Sequence, residues 1–176
     1  MVSNTSTEGI AALSLADCRA PSVLLATGFG SGFSPVAPGT AGSMLAIPLW
    51  WFLLAPATPF AQALVLLGVV AASVAVVERV CRRKGVQDDQ AIVLDEIAGM
   101  WITLWAAPRS MVIVALGLLL FRVFDVWKPW PVSWAERRLA GGLGVVMDDV
   151  VAGVLAAAVL NLSVVVARSF GLEAAA

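Results

Sequence analysis

Apolar residues dominate this chain and are gathered into segments that short polar stretches separate. Hydrophobic residues make up 60% of the 176 residues, and charged residues make up only 13%. Soluble domains carry about 25% charged residues, so the composition predicts an integral membrane protein. The apolar segments are Met44 to Ala55, Phe60 to Val77, Ile92 to Ala107, Met111 to Phe124 and Val150 to Ala167.

Segment length predicts the fold class. Several segments fall short of the roughly 20 residues that a helix needs to cross the hydrocarbon, so they must recruit their polar ends, which draws charged residues into the head-group zone. We expect an all-α, compact polytopic membrane bundle of about five embedded helices. Residues 1–22, polar and without signal-peptide features, are predicted to form a disordered cytoplasmic tail, residues 23–170 a single membrane-embedded domain, and residues 171–176 a flexible C-terminus.

A Gly/Pro-rich stretch, Gly28 to Ser43, interrupts the first apolar region. So many glycines and prolines predict non-helical backbone, which survives at membrane depth only where it is buried or lines a polar cavity. A loop folded into a site is one interpretation, and a plain connecting loop is the other. The stretch lacks the Gly-Lys-Ser/Thr ending of a P-loop.

The chain contains no histidine. This excludes a Ser-His-Asp triad, a phosphohistidine intermediate and a histidine-ligated zinc site. Carboxylates, which remain, suit Mg²⁺ together with a phosphate-bearing substrate. The net charge of -1 argues against a nucleic-acid partner.

Carboxylates and cations lie at the ends of the apolar segments. Asp95 and Glu96 fall within the first turns of the third predicted helix, where buried carboxylates are costly and usually functional. Arg122 and Asp125 share a face at the end of the fourth helix, and Lys128 follows at the same spacing. For Asp125, a simple ion pair with Arg122 or Lys128 is the alternative.

A further pair, Asp148 and Asp149, is predicted to open the fifth helix after the flexible stretch Gly141 to Gly144. Helix N-capping would explain one of these aspartates but not both. We therefore expect carboxylates from three helix ends to converge on one site, with Glu136 outside it.

Four stretches together resemble the phosphatidylglycerophosphatase A family of bacterial membrane phosphatases, and they cover most of the chain from about residue 24 onward. They run in the family's order and are specific only as a set. The stretches are GFGSGFSPVAPGTAGS (28–43), IVLDEIAGMWIT (92–103), FRVFDVWKPWP (121–131) and GGLGVVMDDVVAG (141–153).

The resemblance implies an all-helical enzyme of the bacterial inner membrane that uses Mg²⁺ to hydrolyse phosphatidylglycerophosphate to phosphatidylglycerol and phosphate. Its partners would be this phospholipid and the surrounding membrane lipids. Asp95, Glu96, Asp125 and Asp149 are then candidate metal ligands, and with Asp148 they form the candidate catalytic set. A list of candidate phosphate-binding residues completes the site: Thr40, Ser43, Arg122 and Lys128.

Attack by an activated water and formation of an aspartyl-phosphate, with Asp125 as nucleophile, are both open mechanisms. Two other functions compete. A CDP-alcohol phosphotransferase also uses aspartates and Mg²⁺ in a membrane, but its Asp-Gly-x-x-Ala-Arg motif has no counterpart here. A small ion or proton transporter would place carboxylates in helices without needing the adjacent cations.

The distribution of basic residues predicts the orientation. Arginine and lysine gather at residues 79–84 and again at Lys128, Arg137 and Arg138, whereas the turns near residues 56–59 and 108–109 hold one basic residue between them. We expect the basic loops, the N-terminus and the carboxylates to face the cytoplasm.

Single cysteines placed at Arg83 and Arg137 should resist a membrane-impermeant thiol reagent in intact cells, and labelling there would contradict this orientation.

Overall fold

The computed structural model describes residues 12–85 and 89–171, and throughout these ranges all regular secondary structure is helical, as predicted. Short 3-10 turns at Leu15–Arg19 and Ser31–Phe33 flank the first helix, and a π-helical turn, Trp50–Leu54, continues the second. The α-helices are α1 (Pro21–Ala26), α2 (Pro38–Leu49), α3 (Pro59–Lys84), α4 (Leu94–Thr103), α5 (Met111–Trp127), α6 (Val132–Arg138) and α7 (Gly141–Ser169).

Two helices, α3 and α7, are long and apolar enough to cross a membrane, with mean hydropathies of 2.4 and 2.5. Only 22% and 33% of their most apolar stretches lies buried inside the protein, unlike the core helices of soluble proteins. Leu67 and Leu162 are 70% and 64% exposed. These helices therefore present lipid-compatible surfaces. The expected count of about five spans is not confirmed, because α4 has 10 residues and is only about 15 Å long.

The short helix α4 is the centre of the bundle and packs against α2, α3, α5 and α7. Its closest neighbour is α7, where a Cβ atom on Gly153 would lie 2.5 Å from the carbonyl oxygen of Gly99. The Trp101 indole donates a hydrogen bond to the Ala46 carbonyl at 2.8 Å, which ties α4 to α2. These contacts hold α4 inside the bundle.

The Gly/Pro-rich stretch is only partly the predicted loop. Gly28, Phe29 and Gly30 have positive φ angles and turn the chain, but α2 already begins at Pro38. Proline is tolerated in the first turn of a helix, where its missing N–H has no intrahelical partner to lose. Gly42 lies inside α2. A side chain is not tolerated there, because a Cβ atom would come within 2.7 Å of Val93 Cβ. Glycine at this position reflects helix packing and not flexibility.

The N-terminal region also differs from its prediction where the structure describes it. Residues 1–11 and 172–176 lie outside the described residues, so the predicted tail and C-terminus are not described there. From residue 12 the chain packs against the bundle: Leu13 is buried, and the Asp17 carboxylate pairs with the Lys84 ammonium at the end of α3. An apolar anchor and an ion pair explain this order in a mostly polar segment.

The contact between α4 and α7 predicts a specific loss of stability. Gly153→Ala places a methyl group against the Gly99 carbonyl, and we expect it to destabilise the fold by about 1–3 kcal/mol, the usual effect of overpacking. Gly68→Ala is the matched control, because a Cβ atom there meets nothing within 4 Å. Thermal unfolding of both variants in detergent measures the difference, and equal melting temperatures would contradict the packing argument.

Candidate active site

A polar cavity of about 340 Å³ opens where the first turns of α2 and α4 meet the end of α5 and the first half of α7. It gathers most of the charged residues singled out in the sequence and adds Asp89. Its charged lining consists of Asp89, Asp95, Glu96, Arg122, Asp125, Lys128, Asp148 and Asp149. The predicted convergence of carboxylates from separate helices is present in the structure.

Three of these carboxylates form a compact group. Asp95, Glu96 and Asp149 each offer one oxygen, and these oxygens all lie within 4.8 Å of one another. Asp95 and Asp149 are only 7% and 4% exposed. Three ionised carboxylates at this spacing repel one another strongly when water is scarce, so the arrangement requires a cation or bound protons.

The carboxylates of α4 occupy the first turn of their helix, as predicted. Exposed backbone amides and the positive end of the helix dipole stabilise negative charge at that position. The start of α4 is fixed because the Val93 amide donates to the Ala26 carbonyl at 2.9 Å. Asp95 and Glu96 are therefore carried by a rigid part of the fold.

The placement of Asp148 and Asp149 differs from the sequence prediction. They do not open a helix, since α7 begins at Gly141, two turns earlier. The stretch predicted as flexible is helical, and Gly142 permits close packing, since a Cβ atom there would overlap the backbone of Glu78 on α3. N-capping thus no longer accounts for either aspartate.

An ion pair on α5 also lines the cavity. Arg122 Nη1 lies 2.7 Å from Asp125 Oδ2, but the nitrogen makes no hydrogen bond within the described residues. A Cβ atom on Gly39, in the first turn of α2, would lie 3.0 Å from the same nitrogen and would overlap the Glu96 carboxylate. Glycine at position 39 therefore lets the start of α2 approach both side chains.

Lys128 is held between two carboxylates. Its ammonium group donates to Glu136 Oε1 at 2.7 Å and to Asp148 Oδ2 at 2.9 Å. Partial burial lowers the pKa of Lys128, but the bonds to Glu136 and Asp148 raise this pKa by more, so the side chain is cationic at neutral pH. Glu136, expected outside the cluster, belongs to this network. Its position eight residues from Lys128 gives no periodic signal.

The structure gives different positions to the two hydroxyl residues predicted to bind phosphate. The Ser43 hydroxyl is fully buried and donates to the Gly39 carbonyl at 2.9 Å. Thr40 is not among the residues that line the cavity, whereas Ala37, Pro38 and Gly39 are. The start of α2 therefore reaches the cavity through its backbone.

The residues present fit a divalent cation. Glu96 Oε2 is buried and has no hydrogen-bond partner within the part of the chain that the structure describes. Buried carboxylate oxygens seldom remain unpaired, so an unpartnered oxygen in a group of three carboxylates indicates a place for a metal ion. Oxygen-only ligands suit Mg²⁺, Mn²⁺ and Ca²⁺, and the group alone does not select among them.

Comparisons with known proteins agree with this chemistry. The chain is 45% identical to phosphatidylglycerophosphatase A of Escherichia coli strain K12 over 138 residues, 78% of this chain and 80% of the relative. It is 36% identical to the protein of that name from Haemophilus influenzae, over 80% of this chain and 86% of the relative. A Bacteroides thetaiotaomicron relative, 45% identical over 75% of this chain and 86% of its own length, is named as a candidate phosphatidylinositol-3-phosphatase.

No solved structure matches the chain. The sequence profile described as phosphatidylglycerophosphatase A matches residues 24–164, which include α2 through most of α7 and every charged residue that lines the cavity. The chain belongs to the phosphatidylglycerophosphatase A family.

Proposed function

We propose that this protein hydrolyses phosphatidylglycerophosphate to phosphatidylglycerol and inorganic phosphate. One observation carries the proposal: in a chain of this family, a carboxylate group and two cationic side chains face the same cavity. A phosphomonoester dianion needs cations around its oxygens, and a cation held by the carboxylates would complete that set.

The chain's own residues supply positively charged groups that would bind the phosphate. Arg122 Nη1 forms an ion pair with Asp125 Oδ2 but makes no hydrogen bond within the described residues, and in this proposal it donates one to a phosphate oxygen. The start of α2 adds the positive end of a helix dipole at Gly39. Lys128 adds the second cationic side chain, held by its bonds to Glu136 and Asp148. In this proposal backbone amides take the part that the sequence suggested for Thr40 and Ser43.

The carboxylates of Asp95, Glu96 and Asp149 would hold Mg²⁺, with Asp125 beside them. When bound, this ion would neutralise phosphate charge and lower the pKa of a bound water. In the reaction, water oxygen adds to phosphorus, the bond from phosphorus to the glycerol oxygen breaks, and one proton passes from water to that oxygen. We favour water over Asp125 as nucleophile because Arg122 engages Asp125 Oδ2 at 2.7 Å.

We further propose that the protein is a multi-pass protein of the bacterial inner membrane with its cavity on the cytoplasmic side. The exposed apolar faces of α3 and α7 support the membrane location. The cavity lies at the same end of the bundle as the basic end of α3, at Arg82 to Lys84, and Arg137 and Arg138 at the end of α6. Basic residues of this kind favour the cytoplasmic side.

A phosphoinositide is the second candidate substrate, because a relative of equal identity is named for that activity. Both lipids carry a phosphomonoester on a head group, and the cavity offers the same cations to either.

Phosphate release by the purified protein from phosphatidylglycerophosphate, phosphatidylinositol 3-phosphate and a soluble phosphomonoester, each in the same mixed micelles, tests the proposal. We expect the first lipid to be the fastest, and a faster reaction of the second would transfer the proposal to phosphoinositides.

If the carboxylates bind Mg²⁺, the ion should raise both the stability and the activity of the protein. A ligand that binds only the folded state stabilises it by about 2.7 kcal/mol at a hundredfold excess over its Kd. We expect saturating Mg²⁺ to raise the melting temperature of the purified protein and to switch on phosphate release, and we expect a chelator to reverse both. The combined variant Asp95→Asn/Asp149→Asn should lose the thermal shift. A wild-type protein that ignores Mg²⁺ in both assays would refute the oxygen-ligated site.

Single charge removals separate the ligands from the scaffold. Asp95→Asn, Asp125→Asn and Asp149→Asn keep the side-chain shape, and each should lower turnover by about 10²-fold or more, as lost electrostatic stabilisation does. Lys128→Met should lower turnover by a similar factor. Asp17→Asn is the matched control, since Asp17 pairs with Lys84 away from the cavity. Near-normal turnover in all three cavity variants would remove the support for this mechanism.

A further inference from the structure

A carboxylate outside the cavity contacts the helix that carries two of its aspartates. Glu78, on α3, accepts a hydrogen bond through Oε2 from the Gly142 amide at 2.6 Å. Its other oxygen, Oε1, lies 2.5 Å from Arg82 Nε, one turn along the same helix. Glu78 does not line the phosphate cavity. It lines a second cavity of about 570 Å³, which touches the first at Asp148 and Val145.

The first turn of α7 has no cap of its own. Ala140 occupies the N-cap position and makes no side-chain hydrogen bond there. The amides at a helix start need acceptors, usually a Ser, Thr, Asp or Asn side chain at the N-cap. Glu78 supplies that acceptor from the neighbouring helix, and its negative charge also interacts favourably with the positive end of the α7 dipole.

The glycine pair at the start of α7 makes this contact possible. Gly141 has a φ of +64°, and a Cβ atom on it would overlap Glu78 Oε2. A Cβ atom on Gly142 would overlap the backbone nitrogen of the same residue. Side chains at either position would push α7 away from α3, so the Gly-Gly pair and Glu78 form one contact.

We infer that Glu78 is a positioning residue: it anchors the start of α7 and so fixes where Asp148 and Asp149 stand in the cavity. The anchored amide of Gly142 is about two turns, or roughly 10 Å, before these aspartates. A shift of about 1 Å in catalytic groups can cost 10²-fold in rate. The catalytic consequence rests on the proposed function, whereas the anchoring itself does not.

Two variants of similar size separate the hydrogen-bond acceptor from the bulk of the side chain. Glu78→Gln keeps an oxygen that can accept from Gly142, and Glu78→Met removes it. Hydrogen exchange of the backbone amides over residues 141–146 reports the anchoring, in the full-length protein in lipid nanodiscs. Turnover, the KM for phosphatidylglycerophosphate and the Mg²⁺ concentration for half-maximal rate report the position of the aspartates.

We expect Glu78→Met to raise amide exchange at residues 141–146 and to lower kcat by about 10-fold or more, as misplaced catalytic groups do. The Mg²⁺ concentration for half-maximal rate should rise by a similar factor. The lipid KM should change little, because the residue does not touch the cavity. Glu78→Gln should keep most of the wild-type behaviour. Asp17→Asn, which removes an ion pair from the end of the same helix, should match the wild type in every measurement.

Wild-type exchange and turnover in Glu78→Met would overturn the inference, and so would lost turnover without faster exchange at residues 141–146. Should Glu78→Met fail to fold, Glu78→Asp, which keeps the charge but shortens the reach, decides by the same two measurements. A wild-type protein without phosphatase activity would refute the proposed function alone, because the exchange comparison still tests the anchoring.

Discussion

The contact between α4 and α7 is the constraint on which the rest of the site depends. Gly99 and Gly153 bring the two backbones together, and a Cβ atom on Gly99 would lie 2.8 Å from the carbonyl oxygen of Asp149. Buried apolar side chains on the same helices, Met100 and Leu160 among them, stabilise the pair against the repulsion of its own carboxylates. Apolar packing thus holds together groups that would separate by electrostatics alone.

The cavity brings carboxylates and cations together. The carboxylates of α4 and α7 line it together with Arg122, Lys128 and the start of α2. Each of these two cations is paired with a carboxylate, since Arg122 pairs with Asp125 and Lys128 with Asp148. Such pairing keeps the cations in place before any phosphate arrives, so little reorganisation is needed when negative charge enters.

Local spacing was enough to predict part of this site. The turn that carries Asp95 and Glu96 and the shared face of Arg122 and Asp125 follow from helical periodicity, and the structure confirms both. Helices α2 and α7 start earlier than predicted, because glycine can mark either a flexible stretch or a close helix contact. At Gly42 and Gly142 the missing side chain permits a close contact with another part of the chain. The local sequence pattern does not indicate which segment makes that contact. For the same reason Glu78 has no signal in the sequence, and the prediction that Glu136 lies outside the cluster is wrong.

The tryptophans at the end of α5 have a consequence for how the enzyme meets its substrate. Trp127 and Trp130 are 76% and 79% exposed and flank Lys128, which lines the cavity. Indole rings of this kind settle at the boundary between acyl chains and water. A cavity at that level would receive its lipid by lateral diffusion within the membrane. The concentration that governs the rate is then the surface density of substrate among other lipids, so an inert lipid would slow the reaction by dilution without binding to the protein.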